Sequence, residues 1–211
     1  MKKAFTLNEL LIAIAIIGVI LIIAIPIVYS HFNKKSQVVG LQRAYTAVTN
    51  AVKLMLIDER VKSISKSSLY VDAAEDTVEN TAGKFLKKYF TVTRDCGTEP
   101  GDCFANSYSN LIKEPVALPD SGKSYCVKTS MGSSICIEPP DEAIAARILV
   151  DVNGESRPNV AGRDLFLFYI YKDGFIGDRV SDASDVAVCR ENAYGSGCFN
   201  RIINSDWSMD Y

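Results

Sequence analysis

With 211 residues the chain has room for one globular domain and an extended element besides. Its 25 acidic and 23 basic residues leave a net charge of −2, so the surplus of Lys and Arg needed to neutralise nucleic-acid phosphates is missing and no nucleic-acid partner is expected. A single histidine, His31, and the absence of GxSxG, P-loop and HExxH patterns leave no recognisable catalytic constellation, so no enzyme activity is expected.

Apolar residues concentrate near the start. Leu10 to Val28 reads LLIAIAIIGVILIIAIPIV, without a charge. At the helical rise this run covers about 29 Å, against a hydrocarbon core of about 30 Å. A single apolar strip satisfies its backbone in lipid only as a helix. Pro26 is expected to bend that helix near one end, and Gly18 to weaken its middle. A secretory signal would end in a small-residue cleavage site, and Tyr29-Ser30-His31-Phe32-Asn33-Lys34-Lys35 is not one. Lysines on both sides, Lys2 and Lys3 against Lys34 and Lys35, leave the orientation open. Glu9 stands one position before the run. A simple anchor gains nothing from a carboxylate there, burying one unpaired is costly, and no Lys or Arg lies a helical turn further on.

Lys2-Lys3-Ala4-Phe5-Thr6-Leu7-Asn8-Glu9-Leu10-Leu11 resembles the class III-type processing motif of type IV prepilins and the related pseudopilins. That motif has a short basic leader, a small residue, Phe, Thr, Leu, a variable position, Glu and a long apolar stretch. The resemblance implies that a membrane prepilin peptidase cuts between Ala4 and Phe5 and methylates the new amine of Phe5. It implies that Phe5 and Glu9 serve assembly with other pilin subunits, through inner-membrane machinery. Two positions depart from the pattern: Ala4 stands where Gly is usual, and Asn8 where an apolar or small residue is common. On this reading residues 1–4 are a leader, 5–61 a long helix embedded in the membrane to about residue 30, and 62–211 an extracytoplasmic head. The protein would be a single-pass subunit of the inner membrane that enters a pilus or pseudopilus. The alternatives are a pseudopilin of a type II secretion system, or an uncleaved membrane-anchored extracytoplasmic binding protein.

Beyond the apolar run the pattern becomes amphipathic. Leu41, Tyr45, Val48, Val52 and Met55 recur at helical spacing beside Ala44, Ala47 and Ala51, and Gln42, Arg43, Asn50 and Lys53 take the other face. The helix is expected to continue to about Arg60, with Gly40 as a soft point. Ser63 to Ser68 reads as a polar linker, and Asp76 to Phe90 as a second helix with Phe85, Leu86 and Tyr89 inward. Ser124–Thr129 and Ser134–Glu138 alternate as strands around Met131-Gly132-Ser133, a hairpin signal. Arg147–Val152 and Leu165–Lys172 are further strands. The latter is apolar on both faces, which predicts a strand covered on each side. The fold class is therefore α+β, a long N-terminal helix, half in the membrane and half amphipathic, packed on an antiparallel β-sheet head as in pilins.

Cys96, Cys103, Cys126, Cys136, Cys189 and Cys198 all follow the apolar segment. No CxxC pair occurs, so disulfides in an oxidising compartment fit better than zinc, which places the head outside the cytoplasm. Cys126 and Cys136 lie symmetrically about Gly132, while Cys96–Cys103 and Cys189–Cys198 are local pairs across turn-rich residues. These three pairings are preferred among the many connectivities open to six cysteines. Asp151, Asn153, Glu155 and Asp164 make an oxygen-rich loop that calcium could use. Its register is not that of an EF-hand, because Gly154 comes too early and Gly162 stands where the closing Glu belongs. The preferred reading is a long turn capped by Asp164, with no metal and no other cofactor. Trp207 and Tyr211 are expected to pack, and Asp206 to turn the chain.

Overall fold

The computed structural model describes residues 6–70, 77–139, 144–178, 189–190 and 193–211. Helix α1 runs from Leu7 to Asp58, uninterrupted at Gly18 and Pro26. It contributes to two compact units, Met1–Ser36 and Gln37–Tyr211. In the first, Leu7–Ile25 is long and apolar enough to cross a membrane. Its large apolar side chains, from Leu10 to Ile25, are exposed on every side of the helix. An all-round apolar surface suits lipid or other helices and is costly in water.

The second unit is built on a sheet. Among the described residues, β1 (Val92–Gly97), β4 (Tyr125–Thr129), β5 (Ser134–Glu138), β6 (Ile144–Asp151), β7 (Leu165–Tyr171) and β8 (Ile176–Gly177) form one six-stranded sheet in the order β1-β4-β5-β6-β7-β8. All of its pairings are antiparallel. The short β2 (Tyr108–Ser109) and β3 (Pro115–Val116) pair separately. Because side chains alternate along a strand, each row of the register belongs to one face. Val127, Ile135, Val150 and Phe166 line up across four strands on one face. Cys126, Cys136, Leu149 and Leu167 line up on the other.

The first row faces α1. Leu41, Ala44, Val48, Ala51, Val52 and Met55 of the helix are buried with it in one core, and Gln42, Arg43, Asn50 and Lys53 are exposed. The second row has a core of its own beneath the segment from Cys96 to Val116, which includes Phe104 and Tyr108. Strand β7 thus has Phe166, Phe168 and Ile170 in one core and Leu165, Leu167 and Tyr169 in the other, covered on both faces as its composition predicts. Gly40 is a close approach rather than a soft point. A Cβ there would stand 3.0 Å from Cβ of Val152, so the missing side chain lets the helix lie against the end of β6.

Several expectations are corrected. The polar stretch Ser63–Ser68 is not a plain linker: Ile64–Lys66 and Ser68–Tyr70 are 3-10 turns that bury Ile64 and Leu69. Two apolar residues are enough to draw a polar tract onto the core. The second helix is shorter than expected. Asp76 lies outside the described residues, Glu79–Gly83 is a wide π turn, and only Lys84–Tyr89 (α2) is α-helical. Thr81, Ala82 and Gly83 are buried in that turn. The backbone of Gly83 lies against the Tyr125 ring, where a Cβ would come within 2.8 Å. Strand β6 begins at Ile144 instead of Arg147, because Ala145 and Ala146 are buried in the sheet in spite of alanine's preference for helix. Unanticipated are β1, β2, β3, β8 and the C-terminal helix α3 (Cys198–Asn204), which buries Cys198, Phe199 and Ile202.

Candidate functional site

Ala4 and Phe5 lie outside the described residues, so the expected cleavage point is not located. The first described residue, Thr6, closes the start of α1. Its hydroxyl accepts from the Glu9 N–H at 3.3 Å. In return Oε2 of Glu9 accepts from the Thr6 N–H at 2.9 Å and from the Thr6 hydroxyl at 2.7 Å. This is a reciprocal capping box, which satisfies donors that a helix start leaves orphaned. The absence of a basic partner had made Glu9 look unpaired in its own chain, and this corrects that inference. The signal was in the sequence, as the spacing Thr6-x-x-Glu9. Both Thr6 bonds go to the same oxygen, so the carboxylate is oriented but not used up.

In the second unit the six cysteines form three disulfides: Cys96–Cys103, Cys126–Cys136 and Cys189–Cys198. Cys126 and Cys136 are direct cross-strand partners of β4 and β5. Cys96–Cys103 ties the edge strand β1 to the segment that covers the second core. Cys189–Cys198 holds the start of α3, whose Phe199 stacks on Phe168 with ring centres 4.8 Å apart. Tyr45 of α1 meets both Phe199 and Trp207 there, at 5.5 and 5.8 Å. Tyr211 donates its hydroxyl to the Gly162 carbonyl at 2.6 Å. The C-terminal aromatics are therefore packing residues, and Asp206 turns the chain with a φ of 52°.

The oxygen-rich loop between β6 and β7 spreads its side chains apart. Asp151 is fully buried. It accepts from the Tyr108 hydroxyl and, at 3.0 Å, from the Asn153 N–H. Asp164 is also fully buried and accepts from the Asn159 and Val160 N–H groups, each at 2.6 Å. Asn153 donates its amide to the Arg157 carbonyl at 3.1 Å. Glu155 points outward, 3.4 Å from Arg94 and 3.5 Å from Lys128. Among the described residues, no three His, Cys, Asp or Glu side chains gather as metal ligands would. Burial pushes the Asp151 carboxyl up to about 8, with the nearby Asp164 adding to the rise and the Tyr108, Asn153 and Gly154 donors opposing it. Burial likewise raises Asp164, against its backbone donors. Tyr108 is raised by burial and by the Asp151 carboxylate it faces. These groups fasten the covering segment to the sheet, since the Tyr108 hydroxyl also accepts from the Ala105 N–H at 3.1 Å.

No protein-family model matches the chain, and no solved structure matches it. Among curated proteins it is similar to the type IV major fimbrial protein FimA of Dichelobacter nodosus, 30% identical over 122 residues. The similarity covers 58% of this chain and 68% of that relative.

Proposed function

The chain belongs to the type IV pilin family, and from that premise we propose that it is a structural subunit of a type IV pilus-like filament, assembled through its N-terminal helix. One observation carries this reading. A single helix supplies both an exposed apolar stretch, Leu10–Ile25, and the spine of a disulfide-bonded head. The apolar stretch suits the membrane before assembly and neighbouring helices afterwards. The head has its own core and its own covalent fastenings. That the relative is a fimbrial protein supports a structural rather than a catalytic role.

The finer steps follow from the same reading. A prepilin peptidase removes residues 1–4 and methylates the Phe5 amine. The subunit waits in the inner membrane with its head outside the cytoplasm and then passes through the assembly machinery to other subunits. Glu9 of one subunit then meets the Phe5 amine of another, displaced along the filament axis. Thr6 orients the carboxylate through Oε2, which leaves the other oxygen for the incoming amine. Such a pair adds little over apolar packing, but removing one partner strands the other charge and costs about 3–5 kcal/mol. Glu9→Ala is therefore expected to leave membrane insertion and head folding intact while blocking or impairing entry into filaments. Membrane-fraction protein and filament incorporation, quantified side by side, test it. Normal incorporation of Glu9→Ala removes this carboxylate from the assembly contact.

A further inference from the structure

A cleft of about 730 Å³ opens in the head between three walls, all among the described residues. Strand β1 provides Arg94 and Asp95, the covering segment provides Asp102 with Phe104 to Ser107, and the β6–β7 loop provides Glu155, Arg157 and Asn159. Its volume falls in the range of small-ligand sites, about 300–1,000 Å³. Its lining is not the apolar surface typical of such sites, for polar and charged groups dominate. We propose that this cleft binds a neutral oligosaccharide.

The walls are built to hold their shape. The Cys96–Cys103 disulfide joins β1 to the covering segment. Arg94 bridges two walls, with Nη1 2.9 Å from the Asp102 carbonyl and 3.4 Å from the Glu155 carboxylate. The Ser134 hydroxyl donates to the Cys103 carbonyl at 2.6 Å, and the Ser109 N–H donates to the Asn159 carbonyl at 3.2 Å. A site fixed in this way loses little freedom when it is filled.

The exposed side chains at the cleft are the ones a ligand can reach. Oδ1 of Asn159 is buried, with no hydrogen-bond partner among the described residues, and lies out of a ligand's reach. Asn159 sits at a φ of 57°, a left-handed conformation that Asn adopts more readily than most residues other than glycine. The exposed Arg157 guanidinium takes part in none of the ion pairs among the described residues. Beside them stand Asn106 and Ser107, exposed at the cleft.

The balance of charge selects the ligand class. Two guanidiniums and three carboxylates line the cleft. A polyanion would meet Asp95, Asp102 and Glu155, and a polycation would meet Arg94 and Arg157. An apolar ligand would strand them all. Sugar hydroxyls each donate and accept, so one saccharide can donate to the carboxylates while accepting from Arg157, Asn106 and Ser107.

The inference is independent of filament assembly, and its test is read on the purified full chain in a polyoxyethylene detergent, which carries no sugar. An array of neutral oligosaccharides and a heparin-derived tetrasaccharide are screened, and affinities are measured by saturation-transfer NMR. At least one neutral oligosaccharide is expected to bind. Arg157→Ala and Asn106→Ala each remove an exposed side chain from the cleft. Each is expected to weaken that binding tenfold or more with an unchanged near-ultraviolet circular dichroism spectrum. The proposal is overturned if no neutral oligosaccharide binds, if only the heparin fragment binds, or if either variant binds as the parent does.

Discussion

Asp151 couples the stability of the head to pH. Its carboxyl lies at about 8 in the folded chain, against about 3.9 when unfolded. Between those values the folded state holds a proton that the unfolded state has released, so this residue's contribution to stability declines as pH rises through the window. Asp151→Asn removes the titration. Thermal melts at pH 5 and pH 8.5 should show the variant gaining on the parent as pH increases. Parallel melting profiles would mean that the Asp151 proton is not linked to folding. The sequence placed Asp151 in an oxygen-rich loop and went no further. Nothing in Asp151-Val152-Asn153-Gly154 announces that Tyr108, on a segment not expected to form strand, would close over the carboxylate. The Thr6–Glu9 box was encoded in spacing alone and was still passed over when Glu9 was taken as unpaired, whereas the Tyr108–Asp151 contact was hidden because a distant segment supplies the partner.

The elements divide along the same line. The two strands flanking Gly132, and the length of α1, followed from local periodicity and turn chemistry. The pairing of Cys126 with Cys136 followed from their symmetry about that turn. Edge strand β1 did not, because three of its residues are exposed and its alternation is broken by two register shifts. Those irregularities also blunt an open sheet edge that would invite pairing with another chain. Helix α3 was missed because it is short, although Phe199 and Ile202 carry a helical spacing. With so few turns, its order depends on its anchors. Cys189→Ser combined with Cys198→Ser should cost about 2–3 kcal/mol through the freed loop. The change should appear as a lower melting temperature and as faster amide exchange confined first to α3. An unchanged melting temperature would show that Phe199, Ile202 and Trp207 hold the tail without the covalent bond.

At the scale of the whole molecule, one chain must satisfy two solvents. The apolar stretch of α1 exposes its large side chains, and the head is held by its own two cores and three disulfides. Composition shows the division directly, in the contrast between Leu10–Val28 and the mixed sequence after it. What composition leaves out is the partner, since an apolar helix suits lipid and neighbouring helices alike. The central claim, that this helix ends in a filament after processing, is tested most directly by mass spectrometry of filaments sheared from cells that make the chain together with its peptidase. The account predicts this chain in the filament fraction, beginning at N-methylated Phe5 and lacking Met1 to Ala4. An intact Met1, or a chain confined to the membrane fraction, would contradict it.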